Sequence, residues 1–183
     1  ITNTSGSPLA DASDFTIDLH AGVEKSVAAT KTFVTSVVAG LALVARWSGD
    51  DALRAAIDDL PNALARAVAC DWSAITGALD GHDALYVLGR GPGFDNDNEA
   101  ALKFKETCNI QAESYSAAEV MHGPVAIVTP GYPVLGLAAR DAAEPSVADM
   151  AHRLAAQGAL AFLTSDRPGA ARALPFARTG HPI

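Results

Sequence analysis

The sequence predicts an α/β fold with three layers, in which helices cover both faces of a parallel sheet. Three apolar segments, ALYVLG, PVLGLAA and ALAFLTS, begin at Ala84, Pro133 and Ala159, and each is flanked by turn residues. A helical pattern separates each segment from the next. Strands that alternate with single helices form βαβ units, so we expect parallel strands, right-handed crossovers and an αβα arrangement.

The composition describes an acidic chain that packs densely. Of the 183 residues, 49% are hydrophobic and 19% are charged, which excludes a disordered chain. The formal charge of −8, with few and scattered basic residues, argues against a nucleic-acid partner. Cys70 and Cys108 have no metal-ligand spacing with each other or with the histidines. We therefore expect no metal and a reducing, cytoplasmic location.

Membrane association is not expected either. The longest apolar run, Val34 to Ala45, is shorter than the ~20 residues that span a bilayer, and it reads better as a buried helix. No signal-peptide pattern occurs, and the chain opens on Ile1 rather than Met. We expect a chain that lacks its true start.

The elements before the first apolar strand are short strands and then helices. The opening residues suggest the end of a strand, a Ser/Gly/Pro turn and a second strand at Phe15 to Leu19. The dense apolar pattern from Ser26 to about Trp47 predicts a helix buried on more than one side. Helix-start signals at Ser48 to Asp51 predict another helix, in which Pro61 is a break or the opening of the next helix.

From Leu85 onward the pattern is that of alternating strands and helices. Leu85 to Leu88 is the clearest strand, and a glycine-rich turn and a helix follow it. PVLGLAA predicts the second strand, SVADMAHRLAAQG an amphipathic helix, ALAFLTS the third strand and RALPFA a possible fourth. Ligands of such sheets bind beyond the carboxyl ends of the strands, which directs attention to the turn after Leu88.

The turn GRGPG at Gly89 to Gly93 superficially resembles a dinucleotide-binding fingerprint. Its spacing is GxGxG rather than GxGxxG, Pro92 intrudes, and no acidic residue ends a following strand at the expected distance. A tight strand-to-helix turn explains it as well. It also offers a backbone surface that a small ligand could approach closely, with Arg90 available as a substrate-binding residue.

One face of the following helix carries an acid, a base and an acid. At 100° per residue, Glu99, Lys103 and Glu106 fall on one side of the helix, while Ala101, Phe104 and Cys108 occupy another face. Such Glu–Lys spacing is a common solvated salt bridge worth ~0.2–0.5 kcal/mol, so spacing alone favours a helix surface.

The segment after this helix favours a site instead. QAESYSAAEVMHGP has few large apolar residues and ends with His122 before Gly123 and Pro124. A loop that brings a histidine near a carboxylate face supplies what aldose–ketose chemistry requires: a group that opens the sugar ring, and a carboxylate that carries a proton between C1 and C2. A single histidine is more often structural, so both interpretations stay open at this point.

Two stretches resemble a known family. LGRGPGFDNDNEAALKFKETCNIQAESYSAAEVMHGPVAIV, from Leu88 to Val128, resembles the sugar-isomerase (SIS) domain of the glucosamine-6-phosphate synthase type, with its EGALKxKE helix and HAExxxAxExxHGP segment. GVEKSVAATKTFVTS, from Gly22 to Ser36, resembles the GxExxVASTKxFTxQ segment that links the two SIS domains of that family. The resemblance implies a flavodoxin-like parallel sheet and a phosphosugar substrate, without a cofactor.

The resemblance also implies domain boundaries and roles for residues. Residues 1–24 correspond to the end of a first SIS domain, and residues 25–183 to the linking helices and most of a second. The family's phosphate-binding loop and C-terminal tail fall outside, so we expect this chain alone to be inactive. The implied roles are as follows: proton-shuttling catalyst Glu106, ring-opening His122 from the partner subunit of a homodimer, pocket residues Lys103 and Glu99, and sugar-adjacent backbone at Val27 and Ala28.

The subtype stays open between three possibilities. The motif sequences most resemble those of stand-alone double-SIS proteins. This resemblance implies an aminosugar-phosphate isomerase/deaminase that converts glucosamine 6-phosphate to fructose 6-phosphate and ammonia. The alternatives are the isomerase half of a glutamine-dependent synthase and a non-catalytic module that senses phosphosugars. Ala29 and Ala100 depart from the synthase pattern, which has Ser and Gly there, and these departures bear on the subtype rather than on the site.

Overall fold

The computed structural model describes residues 1–181. The chain divides into two compact units, Ile1–Asn62 and Ala63–Ile183. This division differs from the predicted domain boundary at residue 24, which concerns the place of the segments in a longer protein and stays a prediction.

The start of the first unit contains a bridge and a short helix instead of two strands. Thr2 and Asp18 form an isolated parallel bridge, and helix α1, Pro8–Asp11, lies between them in the chain. The predicted strand at Phe15 to Leu19 is therefore wrong as a strand, because one bridge does not extend into a ladder. The Asn3 side chain links the two ends of this segment, since it donates to the Gly22 carbonyl and accepts from the Ala21 N–H.

Helix α2, Lys31–Ser48, begins later and is more exposed than the sequence predicts. The Glu24 carboxylate accepts the Thr32 N–H at 2.7 Å, which satisfies a free donor of the first turn and lowers the pKa of Glu24. Within residues 1–62 only one other long helix is available to cover it, so the predicted burial on several sides is wrong. Four large apolar side chains of α2 are exposed: Val37, Leu43, Val44 and Trp47.

Helix α3, Asp51–Val68, runs through Pro61 without a break. The prediction that Pro61 ends one helix or opens another is therefore wrong. Proline removes one backbone hydrogen bond from a helix interior, and the turns on either side continue the helix here.

The second unit contains five parallel strands in the order β2-β1-β3-β4-β5. The strands are β1 (Ala84–Gly89), β2 (Gln111–Ser116), β3 (Pro133–Gly136), β4 (Leu160–Leu163) and β5 (Arg172–Ala173). The helices are α4 (Ser73–Ala78), α5 (Phe94–Cys108) and α6 (Glu144–Ala156). The predicted αβα fold and its three principal strands are confirmed, and the possible fourth strand is present as the short β5.

The two faces of the sheet are covered by different helices. Ala101 of α5 and Ile75 of α4 pack with Leu85 and Val87 of β1, which makes one apolar cluster. The helix α6 packs on the opposite face, in a second cluster with Leu88 and the other alternate positions of the central strands. Burial on both faces explains why β1 reads as a continuous apolar run.

The strand β2 is absent from the sequence prediction, which treats QAESYS as part of a polar loop. It pairs with β1 from Ala84↔Gln111 to Gly89↔Ser116. Because it lies at the edge of the sheet, it has one neighbouring strand, and only Ala112 among its residues is buried. A polar edge strand gives no apolar run for a sequence pattern to detect.

The strand order places a switch point between β1 and β3. The chain leaves β1 through α5 toward β2, and it leaves β3 through α6 toward β4 on the other side. The turns that follow β1 and β3 are neighbours there: the Arg90 guanidinium donates to the Ser146 hydroxyl at 3.0 Å, and the Cα of Gly93 faces the Ala139 side chain.

Candidate active site

The structure brings together three of the predicted site residues on α5. The Lys103 ammonium lies 3.0 Å from Glu99 Oε1 and 2.7 Å from Glu106 Oε2. Lys103 also lines a pocket with Leu135 of β3 and Leu137 just beyond it, so the row lies beside the apolar face of α5 and not opposite to it. Of the predicted apolar face, Ala101 is buried and Phe104 half-buried, whereas Cys108 is exposed at the end of the helix.

The two carboxylates define what Lys103 can do chemically. Hydrogen bonds to Glu106 and then to Glu99 raise the pKa of Lys103, so its amine stays protonated at neutral pH. It is therefore a hydrogen-bond donor and a positive charge, not a base. A carboxylate held beside a fixed cation is suited to moving a proton next to a developing oxyanion.

The segment that carries His122 packs on the face of the sheet that α6 covers. His122 ends a 3₁₀ turn, Val120–His122, and its side chain is exposed. Val120 is fully buried in the apolar cluster that includes α6, whereas Glu106 lies on the helix that covers the other face. Among the described residues no hydrogen bond or ion pair joins the side chains of His122 and Glu106, and the role of His122 stays a prediction.

Three tyrosines support the segment that carries His122, and the sequence prediction missed them. Tyr86 is buried on β1 and its hydroxyl donates to the Pro124 carbonyl at 3.0 Å. Its ring meets those of Tyr115 and Tyr132 edge-on, at centroid distances of 4.8 and 5.1 Å. The alternation of Tyr86 with Leu85 and Val87 could have indicated its face of the sheet, but its hydrogen bond depends on the tertiary fold.

Glu113 and Tyr115 on β2 form a further pair near this cluster. The Tyr115 hydroxyl donates to Glu113 Oε2 at 2.7 Å, and this bond is the main reason why the pKa of Tyr115 is raised to about 12. Glu119 contributes its backbone to the same segment, because the His122 N–H donates to the Glu119 carbonyl at 2.9 Å.

Arg90 lies at the start of α5, far from Glu106 along the helix. The twelve residues from the start of α5 to Glu106 correspond to about 18 Å of helix at a rise of 1.5 Å per residue. Arg90 instead reaches α6 through Ser146, while Gly91 adopts φ +68 beside Ala143. The helix length thus separates Arg90 from Glu106, and the substrate-binding role of Arg90 stays a prediction.

Val27 and Ala28 lie in the first unit, in the segment before α2. The Val27 side chain is 95% exposed, and the Ala29 N–H donates to the Val27 carbonyl at 2.9 Å in a tight local turn. The Lys31 ammonium donates to the Val23 carbonyl at 2.9 Å and helps to hold this segment. Their role beside a sugar stays a prediction.

Asp97 is a buried acid that the sequence prediction did not single out. It is 1% exposed, and burial raises its pKa to about 7. Its Oδ2 atom is buried without a hydrogen-bond partner among the described residues. The available signal was its position four residues before Ala101, which places an acid on the apolar face of α5.

Residues 1–181 contain neither a metal-binding cluster nor a membrane-spanning helix. In this part of the chain no group of three or more His, Cys, Asp or Glu side chains is arranged to hold a metal ion. Nor is any helix there long and apolar enough to cross a membrane.

Comparison with known proteins identifies relatives of the chain. No family model matches the sequence. The chain is 37% identical over 171 residues to a glutamine–fructose-6-phosphate aminotransferase (isomerizing) of Aeropyrum pernix, and the match covers 87% of the chain. It spans only 27% of the length of that relative.

Solved structures give the same result for the fold. A candidate phosphosugar isomerase from Silicibacter pomeroyi is 56% identical, with a TM-score of 0.94 over 98% of the chain and 55% of that protein. The C-terminal domain of glucosamine-fructose-6-phosphate aminotransferase from Francisella tularensis is 25% identical, with a TM-score of 0.78 over 96% of the chain and 55% of that protein.

The fold and the helix motif define a class of protein. A parallel sheet of order β2-β1-β3-β4-β5, covered by helices on both faces, is the flavodoxin-like arrangement, and the acid–base–acid row on α5 adds the phosphosugar-isomerase motif. With the relatives described above, the chain belongs to the sugar-isomerase (SIS) family. The predicted family is confirmed.

Proposed function

We propose that the protein to which this chain belongs is an aminosugar-phosphate isomerase and deaminase that acts on glucosamine 6-phosphate. The observation that carries the proposal is the Lys103 ammonium held between Glu99 and Glu106 on α5. A helix of this motif, in a chain related to aminotransferases and phosphosugar isomerases, fits an acid/base role better than a plain salt bridge.

In the proposed reaction His122 opens the sugar ring and Glu106 moves a proton from C2 to C1. The product of this step is a C2 imine with a C1 hydroxyl, and water then adds to C2 and releases ammonia, which leaves fructose 6-phosphate. Lys103 donates to the oxygen that becomes negative during proton transfer, and Glu99 holds Lys103 in place. Val27 and Ala28 are proposed to contact the sugar through their backbone.

The proposal includes a homodimer with a shared site. Val120 anchors the His122 segment on the α6 face of the sheet, whereas α5, which carries Glu106, covers the other face, and this supports a site completed by His122 of a second copy. A symmetric dimer supplies two such sites by one symmetry operation. The chain spans about a quarter of the aminotransferase relative, so we expect the 183 residues alone to have little activity.

A second candidate is the isomerase half of a glutamine-dependent glucosamine-6-phosphate synthase. It is favoured by the 37% identity to the Aeropyrum pernix aminotransferase. The two candidates differ in the direction of nitrogen transfer and in the need for glutamine.

One assay separates the two candidates. The intact protein is incubated with glucosamine 6-phosphate, and ammonia and fructose 6-phosphate are measured; a parallel reaction contains fructose 6-phosphate and glutamine. Equal yields of ammonia and ketose in the first reaction support the deaminase, and glutamine-dependent synthesis in the second supports the synthase. A Glu106→Gln variant is expected to lose at least about a thousandfold in kcat, and ordinary turnover by it would contradict the proposed mechanism.

A further inference from the structure

The Asp97 carboxyl fills the space beside the Cα of Gly89, where any other residue would carry its Cβ. A Cβ built on Gly89 overlaps the carboxyl group of Asp97. Gly89 is the last residue of β1, and its carbonyl accepts the Ala117 N–H at 2.9 Å. The carboxyl therefore lies at the junction where the chain leaves β1 for α5 and leaves β2 for the segment that carries His122.

The surroundings of this carboxyl suit its neutral form. Asp97 is 1% exposed, and burial alone raises its pKa to about 7. Three charged groups on the surrounding elements bind other side chains and not the Asp97 carboxyl. Arg90 donates to Ser146, Glu99 pairs with Lys103, and Glu113 accepts from Tyr115. The charged and titratable groups on the elements packed around Asp97 are Tyr86, Arg90, Asp95, Glu99, Lys103, Lys105, Glu106, Cys108, Glu113, Tyr115, Glu119 and His122.

Asp97 belongs to the same helix as the proposed reaction centre. It lies two residues before Glu99 and six before Lys103, in the first turn of α5. We propose that Asp97 is a positioning residue: its neutral carboxyl seats the start of α5 on Gly89, and loss of its proton displaces that start together with Glu99 and Lys103. This inference rests on the proposed function for its effect on turnover, but the seating of α5 is independent of it.

The physical reason is the cost of a buried, unpaired charge. A neutral carboxyl can pack on a Cα, whereas an ionised one requires donors or water, and Oδ2 has no partner among residues 1–181. An ionised Asp97 carboxylate would need hydrogen-bond donors. It could turn to the free N–H groups at the start of α5 or to the solvent beyond the Arg90–Gly93 turn. Either one moves the first turns of α5 relative to β1.

The first test is a pH profile of the intact protein with glucosamine 6-phosphate. We expect kcat/KM of the wild type to fall about tenfold more than that of Asp97→Asn between about pH 6.5 and pH 8.5, because the amide cannot ionise. The loss should lie mainly in kcat, since the displaced residues act on the reacting atoms. The matched control is Asp95→Asn, which removes an exposed carboxyl two residues earlier and should keep the wild-type profile.

The second test requires no turnover. Hydrogen exchange of the amides at residues 90–96 is measured at both pH values, relative to intrinsic exchange rates, in the wild type and in Asp97→Asn. Loss of protection at the higher pH in the wild type, absent from the variant, supports the inference. Unchanged protection in both proteins overturns it, as does a wild-type pH profile in Asp97→Asn. If no protein turns over the sugar, the proposed function fails and the exchange result alone decides the role of Asp97.

Discussion

The Asp97 carboxyl and the Cα of Gly89 are packed so closely that residue 89 has no room for a side chain. Gly89 has an ordinary strand conformation, so its glycine is required by this contact and not by a positive φ angle. The acid on α5 and the glycine on β1 thus form one structural unit, although the two residues are separated by a turn.

Gly89→Ala should therefore destabilise the protein, and Asp97→Ala should relieve the clash. We expect Gly89→Ala to lower the free energy of unfolding by about 3 kcal/mol, since the new methyl overlaps a buried carboxyl. In the double variant the cost of the methyl should fall to below about 1 kcal/mol. Urea unfolding of the four proteins measures the coupling.

The matched control for that experiment is Gly93→Ala. A Cβ at Gly93 would meet only the Ala139 side chain, at an ordinary 3.7 Å, and its φ of −75 suits alanine. It should change stability by less than about 0.5 kcal/mol. Purely additive effects at residues 89 and 97 would show that the two positions are not packed as described.

Asp97→Asn should change how stability depends on pH. Because the pKa of Asp97 is raised from 3.8 to about 7, the folded protein keeps a proton that the unfolded chain loses between these values. Stability from this group therefore falls as pH rises from about 4 to about 7. At about pH 8.5 we expect the variant to gain about 2 kcal/mol relative to its difference from the wild type at about pH 5. Equal differences at the two pH values would contradict a neutral, buried Asp97.

The sequence predicted the fold where local pattern and tertiary environment agree. The strands β1, β3 and β4 are buried on both faces, so each is a continuous apolar run. The strand β2 is an edge strand, so its polar residues carry no such signal, and Pro61 breaks a local rule that the neighbouring turns of α3 override. Pattern therefore identifies the centre of the sheet better than its edge.

The site shows a similar division. The row of Glu99, Lys103 and Glu106 follows from helical spacing, and the structure forms both of its ion pairs. Two other features depend on how separate segments pack, which no periodicity encodes. They are the packing of the His122 segment on the α6 side of the sheet and the contact of the Asp97 carboxyl with Gly89. Spacing within one helix can be read from sequence, whereas contacts between elements require the fold.

Lys103→Met should reduce turnover strongly and affect folding little. Methionine keeps most of the length of the side chain but removes the cation between Glu99 and Glu106, so two carboxylates face each other without compensation. We expect kcat to fall at least about a hundredfold. The control is Lys105→Met on the same helix, whose exposed side chain should be dispensable. Equal effects of the two substitutions would assign Lys103 a surface role only.

Tyr86→Phe should loosen the segment that carries His122. The variant keeps the ring contacts with Tyr115 and Tyr132 but leaves the Pro124 carbonyl without its 3.0 Å donor. We expect a loss of about 1 kcal/mol in stability and a drop in kcat of about tenfold. Tyr132→Phe, which removes a hydroxyl from the same cluster but not this hydrogen bond, serves as the control. A normal kcat in Tyr86→Phe would show that the bond does not position His122.

Mixing two inactive variants should restore activity if the site is shared between subunits. Glu106→Gln and His122→Ala each disable every site of their own homodimer, but a mixed dimer contains one site with both native residues and one site with neither. Random pairing at equal amounts makes half of the dimers mixed, so about a quarter of the wild-type activity should return. The expectation rests on the proposed shared site; it is motivated by Val120, which anchors the His122 segment on the α6 side of the sheet, while Glu106 lies on α5. Unfolding and refolding the two proteins together, with each refolded alone as the control, allows the exchange. If the mixture stays as inactive as its parts while subunit exchange is verified by mass, His122 and Glu106 act from the same chain or not together at all.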